Sequence, residues 1–192
     1  LSQITRATNI SITGRLYLDV GGFVIALADF SIDQQSGVAV NDTKTVNVPL
    51  ALPGQPGANV LLVRISGAYL FVGVGGVVNK AGYANSDAFR NGLEAAGAVG
   101  FFVSGANLDL AIVGQDPLVG GQKWIGISAS VASLGIVGLP DGFTLRIKNL
   151  KFFYNLASAD GRRMDWQGLS TNTTDGFNLG LGSLAGFDNT TE

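Results

Sequence analysis

Val60-Leu61-Leu62-Val63-Arg64-Ile65-Ser66-Gly67-Ala68-Tyr69-Leu70-Phe71-Val72-Gly73-Val74 consists of two apolar runs separated by a Ser-Gly pair. Apolar residues occupy successive as well as alternate positions in 60–65 and 69–74, as in strands that lie between two packed layers. The phrase around the glycine recurs. Ile12-Thr13-Gly14-Arg15-Leu16 precedes it and Val103-Ser104-Gly105-Ala106-Asn107-Leu108 follows it, each a β-branched residue, a hydroxyl and a glycine leading into an apolar run. Similar strands in series are the signature of a repetitive β architecture.

Outward from this centre the same period continues. Leu16, Leu18 and Val20 alternate with Arg15, Tyr17 and Asp19, and after a bend or bulge at Gly21-Gly22 the pattern resumes from Phe23 to Ile32. Val38 to Val48 reads as a further strand, closed by the prolines and glycines of 49–57. Strands are also expected at 99–103, 108–113 and 124–137, the last broken near Ser133. Asp141-Gly142 supplies a tight turn, and Asp160-Gly161 punctuates the end of the next run. Leu145 and Ile147 share one parity while Leu150, Phe152 and Tyr154 share the other, which calls for a bulge near Asn149. Asn85-Ser86-Asp87 ahead of Ala88, Phe89 and Leu93 marks the one helix, kept short by Gly92 and Gly97. The expected class is therefore all-β: layered antiparallel sheets, an elongated sandwich or a solenoid-like meander, with at most one short helix near 86–96. Residues 1–168 form the β-rich domain. Residues 169–192, rich in Thr, Asn and Gly, read as a connector with one weak inter-unit strand.

A chain of 192 residues suits one folding unit. Charged residues make up only 14% against 46% hydrophobic, where about 25% charged is usual, so few charges cover much surface. Either most strands are buried on both sides, or another copy, a neighbouring module or a ligand covers apolar surface; a neighbouring module fits best. The formal net charge of −2 offers nucleic acid no basic footprint. No run is long and apolar enough for a membrane helix. Leu1 opens the sequence without a signal-type segment, as in a mature or excised piece.

Histidine and cysteine are absent, which removes imidazole triads, thiol nucleophiles, disulfides and the usual zinc sites. Of the acidic residues only Glu94 and Glu192 are not aspartates, and most aspartates neighbour Gly, Asn or Ser, where turn chemistry explains them. No catalytic residue and no cofactor is expected; calcium is the single ion the residues admit, through Asp29, Asp33, Asp109, Asp116 and Asp141. Gly73-Val74-Gly75-Gly76 has the wrong spacing for a dinucleotide fingerprint. The Asn-x-Ser/Thr patterns at Asn9, Asn41, Asn172 and Asn189 are too short to carry weight. Arg146, Lys148 and Lys151 form a basic cluster, read first as a solvated edge and second as a patch for an anionic glycan.

Leu16-Tyr17-Leu18-Asp19-Val20-Gly21-Gly22-Phe23-Val24, Phe71 to Gly75, Gly97 to Gly105 and Val137 to Leu145 occur in that order. As an ordered set covering roughly residues 10–160, they resemble a long repeat module of very large, adhesin-like bacterial surface or secreted proteins, in which such units run in tandem. The resemblance implies an all-β extracellular module with no catalytic residue to carry over; Lys148 to Tyr154 and the stretch from Ser170 depart from it.

The expectation is a non-enzymatic structural or adhesive module whose partners are other copies or neighbouring modules, with Leu179, Leu181, Leu184 and Phe187 as the contact to the adjacent unit. The alternative is a carbohydrate-binding module using Tyr17, Tyr69, Tyr83 or Trp166 on a surface polysaccharide, or, lower still, an aspartate-based polysaccharide hydrolase. A small outer-membrane barrel ranks last, because many strands read as apolar on both faces.

Overall fold

Long runs of β-branched and aromatic residues become long strands. The computed structural model describes residues 10–42, 44–48, 57–115, 120–140 and 143–166. Within them the order is β1 (Ile10–Val20), β2 (Val24–Val38), β3 (Val40–Asn41), β4 (Asn47–Val48), β5 (Ala58–Val74), α1 (Ser86–Ala95), β6 (Val99–Gln115), β7 (Lys123–Val137) and β8 (Arg146–Leu156). Six strands form one antiparallel sheet, β1-β2-β5-β6-β7-β8, interrupted in sequence only by the β3-β4 hairpin and α1. The all-β class with one short helix holds, and the arrangement is the meander rather than the sandwich.

The repeated phrases do not start strands. Ser66-Gly67 and Ser104-Gly105 sit inside β5 and β6, each of which is one strand of 17 residues where the sequence suggested two. Both glycines adopt positive φ, 59° and 61°, and the β5–β6 register shifts between Ile65 and Leu70. The Gly67 N–H donates to Asn107 Oδ1 at 3.0 Å, and Asn107 Nδ2 reaches Ser130 Oγ at 3.3 Å, so one amide ties the irregularity across three strands. An irregularity stands at the expected place: Asn149 has φ 55° and drops out of the pairing together with Ala132, between Leu150↔Val131 and Lys148↔Ser133, with the register unchanged. Each irregularity flips the parity of its strand, so the apolar residues on either side of it stay on one face.

Three further expectations change. Gly21-Gly22 is a full hairpin turn, with φ 58° and 73° and the Phe23 N–H donating to Val20 O at 2.9 Å. The run 38–48 is the end of β2 plus a hairpin of two-residue strands, because Asp42 folds the chain back by accepting from the N–H groups of Lys44, Thr45 and Val46 at 2.8–2.9 Å. Strand β7 runs on through Ser133, although its pairing with both neighbours lapses at Ala132. The helix is as expected: the Asn85 side chain caps it by accepting from the Ala88 N–H at 2.8 Å, and Gly97 with φ 70° ends it. Residues 141–142 and everything after Trp166, including the expected connector, lie outside the described residues.

Two separate cores cover the two ends of one sheet face. At one end Val60, Leu62, Ala111, Val113 and Trp124 are capped by Val40, Val46 and Val48 of the hairpin and by Met164 and Trp166. Gly126 makes this possible, since a Cβ there would stand 2.5 Å from the Trp166 ring. At the other end Ile25, Phe71, Phe102 and Val137 lie beneath Phe89 and Leu93 of α1, with Tyr69 and Tyr83 packed alongside. Phe89 meets Tyr83 and Tyr69 at centroid distances of 4.8 and 5.1 Å in edge-on contacts.

Candidate interaction surfaces

Directly paired residues share a face, so the registers sort every side chain. One row across all six strands reads Ile12, Ile32, Val63, Leu110, Ile127, Tyr154. Two rows along, on the same face, stand Gly14, Phe30, Ile65, Leu108, Ala129 and Phe152, and beyond the bulges Leu18, Ala26, Leu70, Val103, Leu134 and Ile147. Polar side chains enter this face near one end, at Gln34, Ser36, Asn59 and Lys123, and at the Tyr154 phenol on the β8 edge. It carries neither the helix nor the hairpin: Phe101 is 59% exposed and Phe152 54%, whereas Phe102 on the other face is 2% exposed. Among the described residues nothing packs on it. The strands are apolar on both faces as expected, but not between two packed layers: one face is covered at its two ends, and no described residue covers the other.

Between its two caps the covered face is polar. The row next to the first one above reads Thr13, Ser31, Arg64, Asp109, Ser128, Phe153. Arg64 Nε lies 3.6 Å from Asp109 Oδ1, and Arg15 grips Asp29 with two bonds of 2.6 and 3.0 Å. That bidentate bond holds the Asp29 carboxyl below its ordinary pKa. A hollow of about 280 Å³ lies here, bounded by Asn107, Asp109, Ser128, Ser130, Lys151 and Phe153.

Arg146, Lys148 and Lys151 all come to the covered face of β8, an edge strand. They do not form one free patch: Arg146 pairs with Asp87 of α1 and donates to Ser133 Oγ at 3.3 Å, and the irregularity at Asn149 separates Lys148 from Lys151. The hydrogen bond and charge of Arg146, with help from Lys148, hold the Asp87 carboxyl below its usual pKa. Leu179, Leu181, Leu184 and Phe187 lie outside the described residues, as do Asp116 and Asp141. Asp29 is held by Arg15 and Asp109 lies beside Arg64; no three acidic side chains converge to hold a metal among the described residues. Trp166 is fully buried, whereas Tyr83, half-buried in the aromatic cluster, lines with Tyr69 a hollow of about 210 Å³ beside Arg15 and Asp29. No described helix is long and apolar enough to cross a membrane.

What the sequence reading missed is the face that no described residue covers and the unpaired outer side of β1; the edge at Arg146, Lys148 and Lys151 was already legible. The signal was present in Arg64, Ser66, Asn107 and Asp109, whose side of β5 and β6 cannot be a continuous apolar layer, leaving the opposite side as the unbroken one. Comparison with known protein families, with characterised proteins and with solved structures finds no match to this chain.

Proposed function

We propose that this chain is a non-enzymatic structural or adhesive module of a bacterial surface or secreted protein, which packs through its open sheet face against a neighbouring unit to build a fibre, stalk or surface layer. The unbroken apolar face carries the reading. Six strands about 4.8 Å apart and about eleven residues long at about 3.4 Å each span about 1,000 Å². Covering such a face with a second one removes about 2,000 Å² from contact with water, the upper end of a standard stable interface. Sheets so packed stand about 10 Å apart, and their apolar side chains interdigitate without a catalytic group or a cofactor.

Sedimentation of the purified chain tests this. Association at micromolar concentration that is lost in Leu110→Lys, with the β circular dichroism unchanged, supports the reading, because Leu110 sits mid-face and a lysine there is solvated only in the lone chain. A parent chain that stays monomeric, or that floats with lipid vesicles instead of self-associating, overturns it.

A second reading places a glycan in the hollow on the covered face. Phe153, 40% exposed, borders it beside amide, hydroxyl and charged groups, the mixture that sugar rings require. Glycan-array binding abolished by Phe153→Ala would move weight to that reading.

A further inference from the structure

Among the described residues both edges of the sheet are bare. No described strand pairs with the outer side of β1 or β8, each 11 residues long, and every residue of β1 is exposed. We propose that β8 of one copy pairs with β1 of the next, antiparallel and without offset, so that the sheet continues from copy to copy. This deepens the assembly reading by naming the partner and the contact.

Direction allows it. Every neighbouring pair in the sheet is antiparallel, so β1 and β8 run oppositely, and a second copy laid alongside in the same orientation brings its β1 antiparallel to β8. Register favours one solution. The row that starts at Ile12 ends at Tyr154, the row from Gly14 ends at Phe152, the row from Thr13 ends at Phe153 and the row from Asp19 ends at Arg146. The two edges therefore span the same rows, and full-length pairing sets Tyr154 against Ile12, Phe152 against Gly14 and Arg146 against Asp19 of the next copy. Asn149, already at positive φ and outside the β7–β8 pairing, absorbs the one-residue difference, which keeps apolar residues on the open face throughout.

Charge chooses the partner edge. Strand β8 carries Arg146, Lys148 and Lys151 and no acid, while β1 and β2 carry Asp19, Asp29 and Asp33 against Arg15 alone. Pairing β8 with β8 would oppose cations; pairing β8 with β1 sets Arg146, which also pairs with Asp87, against Asp19, and Lys151 against an Arg15 whose charge Asp29 already balances. The lysines on this edge thus discourage like-with-like pairing rather than all pairing. A barrel closes only when its strands are staggered, so pairing without offset gives an open, twisting ribbon with a heterologous contact at every joint. Six strands per copy predict an axial repeat of about 29 Å.

The chain has no cysteine, so engineered ones report cleanly. Under mild oxidation Thr13→Cys/Phe153→Cys should give a ladder of disulfide-linked multimers, and each single variant should stay monomeric on a denaturing gel. Carrying Leu110→Lys in the same chain removes the sheet-face contact and isolates the edge. No ladder while the parent chain still associates overturns the edge pairing and leaves the face reading standing; dimers from Phe153→Cys alone overturn it in favour of β8–β8 contact. A ladder with Leu110→Lys present, from a parent whose association Leu110→Lys does not weaken, supports the edge and sinks the face reading.

Discussion

Replacing Asp42 by alanine should cost about 4 kcal/mol. Its carboxylate is fully buried and accepts from the N–H groups of Lys44, Thr45, Val46 and Asp165 and from the Thr45 hydroxyl, at 2.8–3.0 Å. Lys44 and Thr45 are exposed, and water can replace the carboxylate there. Val46 and Asp165 are buried; each orphaned N–H costs about 1–3 kcal/mol, which for the two together gives about 2–6 kcal/mol. Both tryptophans, Trp124 and Trp166, lie in the core that this turn helps close, so urea denaturation followed by tryptophan fluorescence reads the loss directly. Burial by itself pushes the Asp42 carboxyl up, but the converging backbone N–H donors outweigh it and hold it below its ordinary pKa. A folded pKa below the unfolded value of about 3.9 means that the stabilisation is present above about pH 4 and is lost as pH falls through the folded value. The gap between the wild type and Asp42→Asn should therefore narrow below about pH 4. A loss under about 1 kcal/mol for the alanine variant, or a gap that widens in acid, would refute the account of Asp42 as the acceptor that ties the hairpin to the segment after β8.

Gly126→Ala should destabilise by about 1–3 kcal/mol and shift tryptophan emission to the red, because its Cβ would stand 2.5 Å from the Trp166 ring. Gly67→Ala and Gly105→Ala separate strain from crowding: at Gly67 nothing lies within 4 Å of the new Cβ, so the positive φ alone costs about 1 kcal/mol. At Gly105 the Ala132 Cβ stands 2.9 Å away, so chemical denaturation should show the larger loss. Asn85→Ala removes the cap of α1 and should lower stability by about 1 kcal/mol, read by the same denaturation.

How much of this the chain announces differs from element to element. Asn149 was legible because two apolar sets of opposite parity on one short run require an irregularity between them, and the cap of α1 was legible because it is a local hydrogen bond. Ser66-Gly67 was not. A positive-φ glycine serves equally in a turn and in a bulge, and the choice was made by the Asn107 side chain of the neighbouring strand and by the matching irregularity at Gly105. The run at 38–48 misled for a similar reason: its valines suit a strand, yet Asp42 finds enough N–H donors, one of them from Asp165, to reverse the chain.

Alternation, turn glycines and the scarcity of charge were sufficient for an antiparallel β protein with more apolar surface than its polar residues can cover, because strand period and composition are properties of the chain alone. Which face keeps that surface was decided by tertiary structure. Helix α1, the β3-β4 hairpin and residues 164–166 all fold back onto the same side of the sheet, so that among the described residues contacts such as Trp166 on Gly126, far apart in sequence, leave the opposite side uncovered, with the edges β1 and β8 spanning the same rows.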